Sequence, residues 1–221
     1  MLIKVCGMRD AQNIRDVEAL GADMIGFIFW PGSKRYVETK PEYIPEKANR
    51  VGVFVNAEPQ EVVDRVKEFG LQIVQLHGDE DLAYVTALHK LLATLDTKQP
   101  LIVRAISVSS RSSVLKAMMW DGYVDGILFE TPTNGYGGSG ESFDWSLLSS
   151  YRGRTPFFLT GGIGPQSIDA LKEFSHPQWI GVDLNSRFES APGVKDLSLL
   201  KPFIDELRTI KLQGSDKVYT I

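Results

Sequence analysis

The chain has 221 residues, of which 43% are hydrophobic and 24% are charged, and its formal net charge at pH 7 is −4. This balance is typical of a globular protein and lacks the basic excess of a nucleic-acid-binding surface, so we do not expect nucleic acid as a partner. The sequence has no 18-residue apolar run, no signal-peptide pattern in its first ten residues and a single cysteine, so we expect a cytoplasmic protein with no membrane partner and no internal disulfide.

Short apolar runs rich in β-branched residues alternate with longer segments of helical periodicity along the chain. The eight predicted strands are Leu2 to Val5, Met24 to Phe29, Val51 to Val55, Ile73 to Leu76, Leu101 to Ala105, Val124 to Phe129, Pro156 to Thr160 and Trp179 to Val182. The clear helices are Asp10 to Leu20, Pro59 to Phe69, Asp79 to Leu92, Ser109 to Trp120, Pro165 to Phe174 and Lys195 to Leu207. Two further helical segments, Pro41 to Arg50 and Asp144 to Tyr151, are expected to be short or irregular.

Repeated βα units predict parallel strands with right-handed crossovers, which leaves a closed barrel or an open doubly wound sheet. Eight regular cycles favour the barrel, and no G-x-G-x-x-G follows a strand as a dinucleotide-binding sheet would require. We therefore predict an α/β fold, a (β/α)₈ TIM barrel that forms a single domain over residues 1–221. In such a barrel the active site lies where the strands end.

Reactive side chains follow several of the predicted strands: Cys6 the first, Arg35 the second, His77 the fourth and Glu130 the sixth. At this position Cys6 is either a small buried residue or a base, and the residues alone leave both open. Glu130 is a candidate general acid, with a surface ion pair as the alternative. Arg35 is a candidate clamp for a substrate carboxylate or else a solvated charge. His77 either contacts substrate or orders its loop.

Side chains alternate along a strand, so Lys4 points to the same side as Cys6. A lysine inside the barrel must be paired with an acceptor, and we expect a buried ion pair rather than a Schiff-base nucleophile. Its partner cannot be named from the sequence.

Two loops predict a phosphate site. Gly161 and Gly162 follow the seventh strand, and Asn185 and Ser186 follow the eighth. Barrels often bind phosphate at these loops through backbone N–H groups, although a glycine pair can also be only a turn. The long glycine-rich loop over residues 130–143 is also expected to be functional. We therefore expect a small phosphorylated substrate.

An ordered set of motifs, running from about Lys4 to Phe203, resembles the phosphoribosylanthranilate isomerase family of tryptophan biosynthesis. No single motif decides the matter, but the ordered set is specific. The motifs are Lys4-Val5-Cys6-Gly7-Met8, Gly21-Ala22-Asp23 with Gly26-Phe27-Ile28-Phe29, Ser33-Lys34-Arg35-Tyr36-Val37, Val51-Gly52-Val53-Phe54-Val55-Asn56, Val74-Gln75-Leu76-His77-Gly78, Gly137-Gly138-Ser139-Gly140 with Phe143-Asp144-Trp145, and Pro192-Gly193-Val194-Lys195-Asp196.

The resemblance implies an Amadori rearrangement of an aminoaldose to an aminoketose, an aldose–ketose isomerisation without cofactor or metal. It places the general base on Cys6 and the general acid on Glu130. It places the contact to the anthranilate carboxylate on Arg35 and a contact beside the anthranilate nitrogen on Asp183. The family's phosphate site falls on the two loops that contain Gly161, Gly162, Asn185 and Ser186.

The chain departs from the family pattern at two places. Glu130 stands where the family normally has Asp, so its carboxyl lies one methylene further out. The segment from Leu184 to Glu189, which includes Arg187, stands where the family more often has Val-Ser-Ser-Gly, and we expect backbone donors to maintain phosphate binding there.

Other phosphate-binding barrels fit less well. A pentose-phosphate epimerase would need metal-ligating histidines at several strand ends, and only His77 qualifies. An indole-glycerol-phosphate synthase would need catalytic lysine and glutamate residues on several strands, which are not found. A barrel that binds its ligand without catalysis is the rival from another class. The chain is expected to be monofunctional, as a monomer or homodimer.

Overall fold

The computed structural model describes residues 1–132 and 143–213. Eight parallel strands form a closed barrel in chain order, and β1 pairs with β8 to complete it. The barrel predicted from the alternating pattern is therefore confirmed. The strands are β1 Leu2–Val5, β2 Met24–Ile28, β3 Asn49–Phe54, β4 Ile73–Leu76, β5 Leu101–Ser107, β6 Gly126–Glu130, β7 Phe157–Leu159 and β8 Trp179–Leu184.

Helices connect the strands on the outside of the barrel. The α-helices of the described ranges are α1 Ala11–Ala19, α2 Pro59–Phe69, α3 Leu82–Leu92, α4 Arg111–Ala117, α5 Ile168–Glu173 and α6 Leu197–Leu207. Short 3₁₀ helices lie at Met118–Trp120, Trp145–Ser150, Pro165–Ser167 and Ser186–Phe188. The two segments that were expected to be short or irregular are irregular in the structure. Residues 41–48 contain no helix, and the described segment after β6 forms only the 3₁₀ helix Trp145–Ser150.

The sequence did not predict a small hairpin between β8 and α6. Its strands are β9 Glu189–Ala191 and β10 Val194–Lys195, and they pair in antiparallel fashion. The last helix was expected to begin at Lys195, but it begins at Leu197. The reason is that the Asp196 side chain accepts a hydrogen bond from the backbone N–H of Ser198 and caps the helix.

The apolar core has two parts. A large cluster fills the space between the strands and the helices, and a smaller one contains residues from β2 to β8, among them Met24, Val51 and Ile73. Because each strand alternates its side chains, this smaller cluster fills the barrel interior. Leu2 packs against it, and Lys4 follows on the same side of β1. Among the described residues, no helix is both long and apolar enough to cross a membrane.

Candidate active site

A pocket of about 880 Å³, open to solvent, lies where the strands end. All nine residues that the sequence suggested for the site line it: Cys6, Arg35, His77, Glu130, Gly161, Gly162, Asp183, Asn185 and Ser186. The glycine-rich stretch from Tyr136 to Gly140, also expected to be functional, lies outside the described residues.

Cys6 directly follows β1 and is only 4% exposed. Space for its thiol comes from Gly26 on the neighbouring strand, because a Cβ atom at Gly26 would lie 2.8 Å from the Cys6 Sγ. Burial raises the pKa of Cys6, while the positive charges of Lys4 and Lys195 act in the opposite direction. The uncharged thiol is therefore favoured in this environment.

Lys4 forms the expected buried ion pair, and its acceptor is Asp183, which the sequence could not name. Its Nζ lies 2.7 Å from Asp183 Oδ2 and donates a second hydrogen bond of 2.8 Å to Gln75 Oε1. Burial alone would lower the pKa of Lys4, but the negative charge of its partner Asp183 acts in the opposite direction, and the pKa is raised. Lys4 is therefore a fixed positive charge beneath the pocket.

Asp183 lies within β8 rather than after it, and its side chain is nearly buried. Its Oδ2 accepts from Lys4, whereas its Oδ1 is buried and has no hydrogen-bond partner in the part of the chain that the structure describes. A buried acceptor without a donor costs roughly 1–3 kcal/mol. Because Asp183 lines the pocket, this oxygen suits a ligand that brings an N–H or O–H group.

Glu130 ends β6 and contacts His77, which follows β4. Glu130 Oε2 lies 2.9 Å from His77 Nε2, and Ser107 Oγ donates a hydrogen bond of 3.2 Å to Glu130 Oε1. Both side chains are about 15% exposed, at the pocket wall. Glu130 therefore pairs with His77 at the wall of the pocket.

Arg35 is anchored by Glu189, a residue that sequence reasoning missed. The Arg35 Nη2 lies 2.6 Å from Glu189 Oε2, and the Glu189 Oε1 lies 2.7 Å from the Nζ of Lys195. Burial opposes ionisation of Glu189, but Arg35 and Lys195 outweigh it and lower the pKa of this carboxyl. Lys195 is fully buried as a side chain, and burial lowers its pKa. Lys195 belongs to the Pro192–Asp196 motif, so the sequence did single out this segment. The pattern of charges in a sequence does not show, however, which charged residues are in contact.

The loops after β7 and β8 also line the pocket. Gly161 and Gly162 have φ of +82° and +69°, a left-handed backbone that glycine adopts without strain. Asn185 Oδ1 accepts a hydrogen bond from Lys195 Nζ, and Ser186 begins a 3₁₀ helix. Exposed backbone N–H groups at such turns favour anions.

Thr131 is a second residue that sequence reasoning missed. A Cβ atom at Gly161 would lie 2.5 Å from the Thr131 Oγ1, so the two residues are in close contact. Among the described residues, this hydroxyl is buried and has no hydrogen-bond partner, and Thr131 lines the pocket. It follows Glu130 directly, and nothing in the sequence around it distinguished it.

Comparison with known proteins gives consistent matches along most of the chain. The family model described as N-(5'phosphoribosyl)anthranilate (PRA) isomerase matches residues 3–206. The N-(5'-phosphoribosyl)anthranilate isomerase of Phocaeicola vulgatus is 45% identical over 208 residues, covering 94% of this chain and 98% of the relative.

Solved structures are similar as well. Phosphoribosyl anthranilate isomerase from Thermotoga maritima aligns with a TM-score of 0.78 and 32% identity, covering 94% of this chain and 98% of that one. A phosphoribosyl anthranilate isomerase in complex with reduced 1-(o-carboxyphenylamino)-1-deoxyribulose 5-phosphate aligns with a TM-score of 0.75 and 29% identity over the same shares of the two chains.

Proposed function

The chain belongs to the N-(5'-phosphoribosyl)anthranilate isomerase family, and on that premise we propose that it catalyses the Amadori rearrangement of N-(5'-phosphoribosyl)anthranilate. The product is 1-(2-carboxyphenylamino)-1-deoxyribulose 5-phosphate, an intermediate of tryptophan biosynthesis. The observation that carries the proposal is the single pocket that Cys6, Glu130 and the two glycine-containing loops share. General acid and general base catalysis need both groups on one bound substrate.

The first step opens the sugar ring. Glu130 gives its proton to the furanose ring oxygen, the bond between C1′ and that oxygen breaks, and the anilinic nitrogen forms a C=N double bond to C1′. The resulting iminium is cationic. Asp183 supports this step because its unpartnered Oδ1 can accept the N–H of the substrate and its negative charge favours the iminium.

The second step moves a proton from C2′. Cys6 accepts it as the thiolate, the C2′–H electrons form a C1′=C2′ double bond, and the C=N electrons return to nitrogen. The enolamine then becomes the ketone. C1′ takes the proton that Cys6 holds, and water carries the proton of the C2′ hydroxyl to the Glu130 carboxylate, so both groups return to their starting states. Burial favours the thiol form of Cys6, whereas a cationic iminium beside it favours loss of the thiol proton to solvent and so the thiolate.

The remaining lining residues support substrate binding. The contacts of Arg35 to Glu189 use Nε and Nη2, and a substrate carboxylate on the other edge of the guanidinium would use Nη1 and Nη2. We assign the phosphate to the backbone N–H groups around Gly161 and Gly162 and to Asn185 and Ser186.

We further propose that residues 1–221 form one domain that acts in the cytoplasm, as a monomer or a homodimer. Size-exclusion chromatography with light scattering distinguishes the two oligomeric states.

The decisive experiment supplies phosphoribosylanthranilate and follows the loss of its fluorescence. We expect turnover by the parent and a loss of roughly 100-fold or more in kcat for both Cys6→Ser and Glu130→Gln, which keep the size of each side chain. Absence of turnover by the parent contradicts the isomerase function. Turnover that Cys6→Ser leaves unchanged contradicts the assignment of the base.

A further inference from the structure

A continuous chain of hydrogen bonds runs beneath the pocket from Asp183 to Glu130. Lys4 Nζ contacts Asp183 and Gln75 Oε1, Gln75 Nε2 lies 3.0 Å from His77 Nδ1, and His77 Nε2 lies 2.9 Å from Glu130 Oε2. Gln75 is only 2% exposed and lies in the middle of β4, so water does not compete for its amide. This series of hydrogen bonds connects Asp183, the residue proposed to contact the substrate nitrogen, with Glu130, the proposed acid.

The chemistry of Lys4 determines the direction of every bond in this chain. An ammonium group only donates, so the atom of Gln75 that faces Lys4 is the carbonyl oxygen. The amide nitrogen of Gln75 therefore faces His77, and because it only donates, His77 Nδ1 is the acceptor. A neutral imidazole with an accepting Nδ1 carries its proton on Nε2. His77 thus donates its Nε2–H to Glu130 Oε2.

The backbone on either side of His77 is also held. Arg104 donates from Nη1 to the carbonyl of Leu76 at 3.1 Å and from Nη2 to the carbonyl of Gly78 at 2.7 Å. Arg104 is itself paired with the buried carboxylate of Glu80. Arg104 therefore holds the backbone on both sides of His77, while the ring itself contacts Gln75 through Nδ1 and Glu130 through Nε2.

We propose that Gln75 is a positioning residue, which holds His77 in the Nε2–H tautomer so that His77 orients the carboxyl of Glu130 for proton donation. The tautomer follows from the geometry alone, whereas its part in ring opening rests on the proposed function. His77 donates to Oε2, and the Ser107 hydroxyl donates the longer hydrogen bond, of 3.2 Å, to Oε1. We assign the acidic proton to Oε1, which keeps a lone pair for the Ser107 hydroxyl. That proton passes from Oε1 to the ring oxygen, and the carboxylate that remains keeps its hydrogen bond from His77.

Substitution of Gln75 by Glu tests the direction of the chain directly. A carboxylate at this position only accepts, so it requires a proton on His77 Nδ1, while Lys4 keeps an acceptor and the fold keeps its buried contact. We expect the parent to show His77 protonated on Nε2 alone and Gln75→Glu to show a proton on Nδ1. Long-range ¹H–¹⁵N correlation spectra of the imidazoles report the two states, and His77→Gln assigns the signals.

The surface of the protein offers a matched control for this experiment. Gln99 Nε2 lies 3.1 Å from His89 Nδ1, and His89 Nε2 lies 2.9 Å from the carbonyl of Tyr123. This exposed pair repeats the contact of Gln75 with His77 away from the pocket. Gln99→Glu should therefore alter only the signals of His89 and leave kcat unchanged.

The kinetic expectation is a fall in kcat on the order of 100-fold for Gln75→Glu and for Gln75→Met, with little change in KM, since a misdirected acid affects the chemical step. Gln75→Met also covers the case in which Gln75→Glu fails to fold, which circular dichroism reveals. The proposal is overturned if the parent carries the proton on Nδ1, or if both variants keep the parent's kcat. Absence of parental turnover removes the isomerase proposal and the role of Gln75 in it, while the spectra still decide the tautomer.

Discussion

Glu189 accepts three hydrogen bonds from Arg35, two from Nε at 2.8 and 3.1 Å and one from Nη2 at 2.6 Å, and also pairs with buried Lys195. One carboxylate thus balances two cations. We expect Glu189→Gln to lower the free energy of unfolding by about 3–5 kcal/mol, because it leaves Lys195 buried without an anion. Urea unfolding measures this. The exposed pair of Lys172 with Glu206 is the control, and Glu206→Gln should cost less than about 1 kcal/mol. Equal losses would contradict the expectation.

The same carboxyl predicts a dependence of stability on pH. The pKa of Glu189 is lower in the folded chain than its ordinary value, because Arg35 and Lys195 outweigh the effect of burial. The folded state therefore binds fewer protons here than the unfolded state, and acid favours unfolding. The stabilisation is fully present above the unfolded pKa of about 4.3 and is lost as pH falls through the folded value.

The difference in unfolding free energy between the parent and Glu189→Gln should therefore be constant near neutral pH and shrink below about pH 4.3. Urea titrations across the acidic range measure it. A difference that does not change on acidification is the opposing outcome.

Cys6 is the only cysteine, so alkylation with iodoacetamide reports on one thiol. Burial raises its pKa in spite of Lys4 and Lys195. We expect the alkylation rate of the folded chain to rise with pH at a midpoint above the ordinary thiol value of about 8.5. The same chain in urea is the reference, and a folded midpoint at or below that of the unfolded chain would show that the cations dominate.

Gly26→Ala tests the space provided for the thiol. The added Cβ would lie 2.8 Å from the Cys6 Sγ and 3.2 Å from its Cα, so the base must move. We expect kcat to fall on the order of 100-fold. Gly126 lies on another barrel strand, where a Cβ would first meet a methyl of Val103 at 3.3 Å, and Gly126→Ala should keep kcat. Equal kcat in the two variants argues against the displacement.

Glu130→Asp asks whether the longer side chain is suited to this site. Glu130 Oε2 reaches His77 Nε2 at 2.9 Å, and a carboxyl shorter by one methylene withdraws from that contact. We expect kcat to fall by about 100-fold, since a misplacement of roughly 1 Å has that cost. Steady-state kinetics with phosphoribosylanthranilate measure it, and a gain in kcat would show that Glu130 is a handicap.

The fold was predictable because each barrel strand is apolar and is bounded by turn residues. The predicted bounds of β1 and β4 agree with the structure, since Leu2–Val5 and Ile73–Leu76 are short uninterrupted runs. The hairpin of β9 and β10 was missed because Glu189–Ala191 has no apolar pattern. The hairpin is held by the side chain of Asn13, which accepts a hydrogen bond from the backbone N–H of Lys195 and donates one to its carbonyl.

The site was predictable as far as strand ends could be read, because parallel strands bring their carboxyl ends together. Gln75 and Glu189 were missed for a different reason. Each acts through a partner that is distant in sequence, 71 residues for Gln75 with Lys4 and 154 for Glu189 with Arg35. Which polar groups meet depends on how neighbouring strands are aligned. That alignment cannot be read from one sequence.

The ion pair of Lys4 with Asp183 has a consequence for folding. The two residues are 179 positions apart and are register partners across the β1–β8 pairing that closes the barrel. A partly folded chain in which β8 has not yet docked leaves Lys4 without its anion and Asp183 outside the pocket. Contacts of such high sequence separation form slowly. Catalytic competence therefore requires that the first and last strands of the barrel are paired, because only that pairing brings Lys4 and Asp183 together.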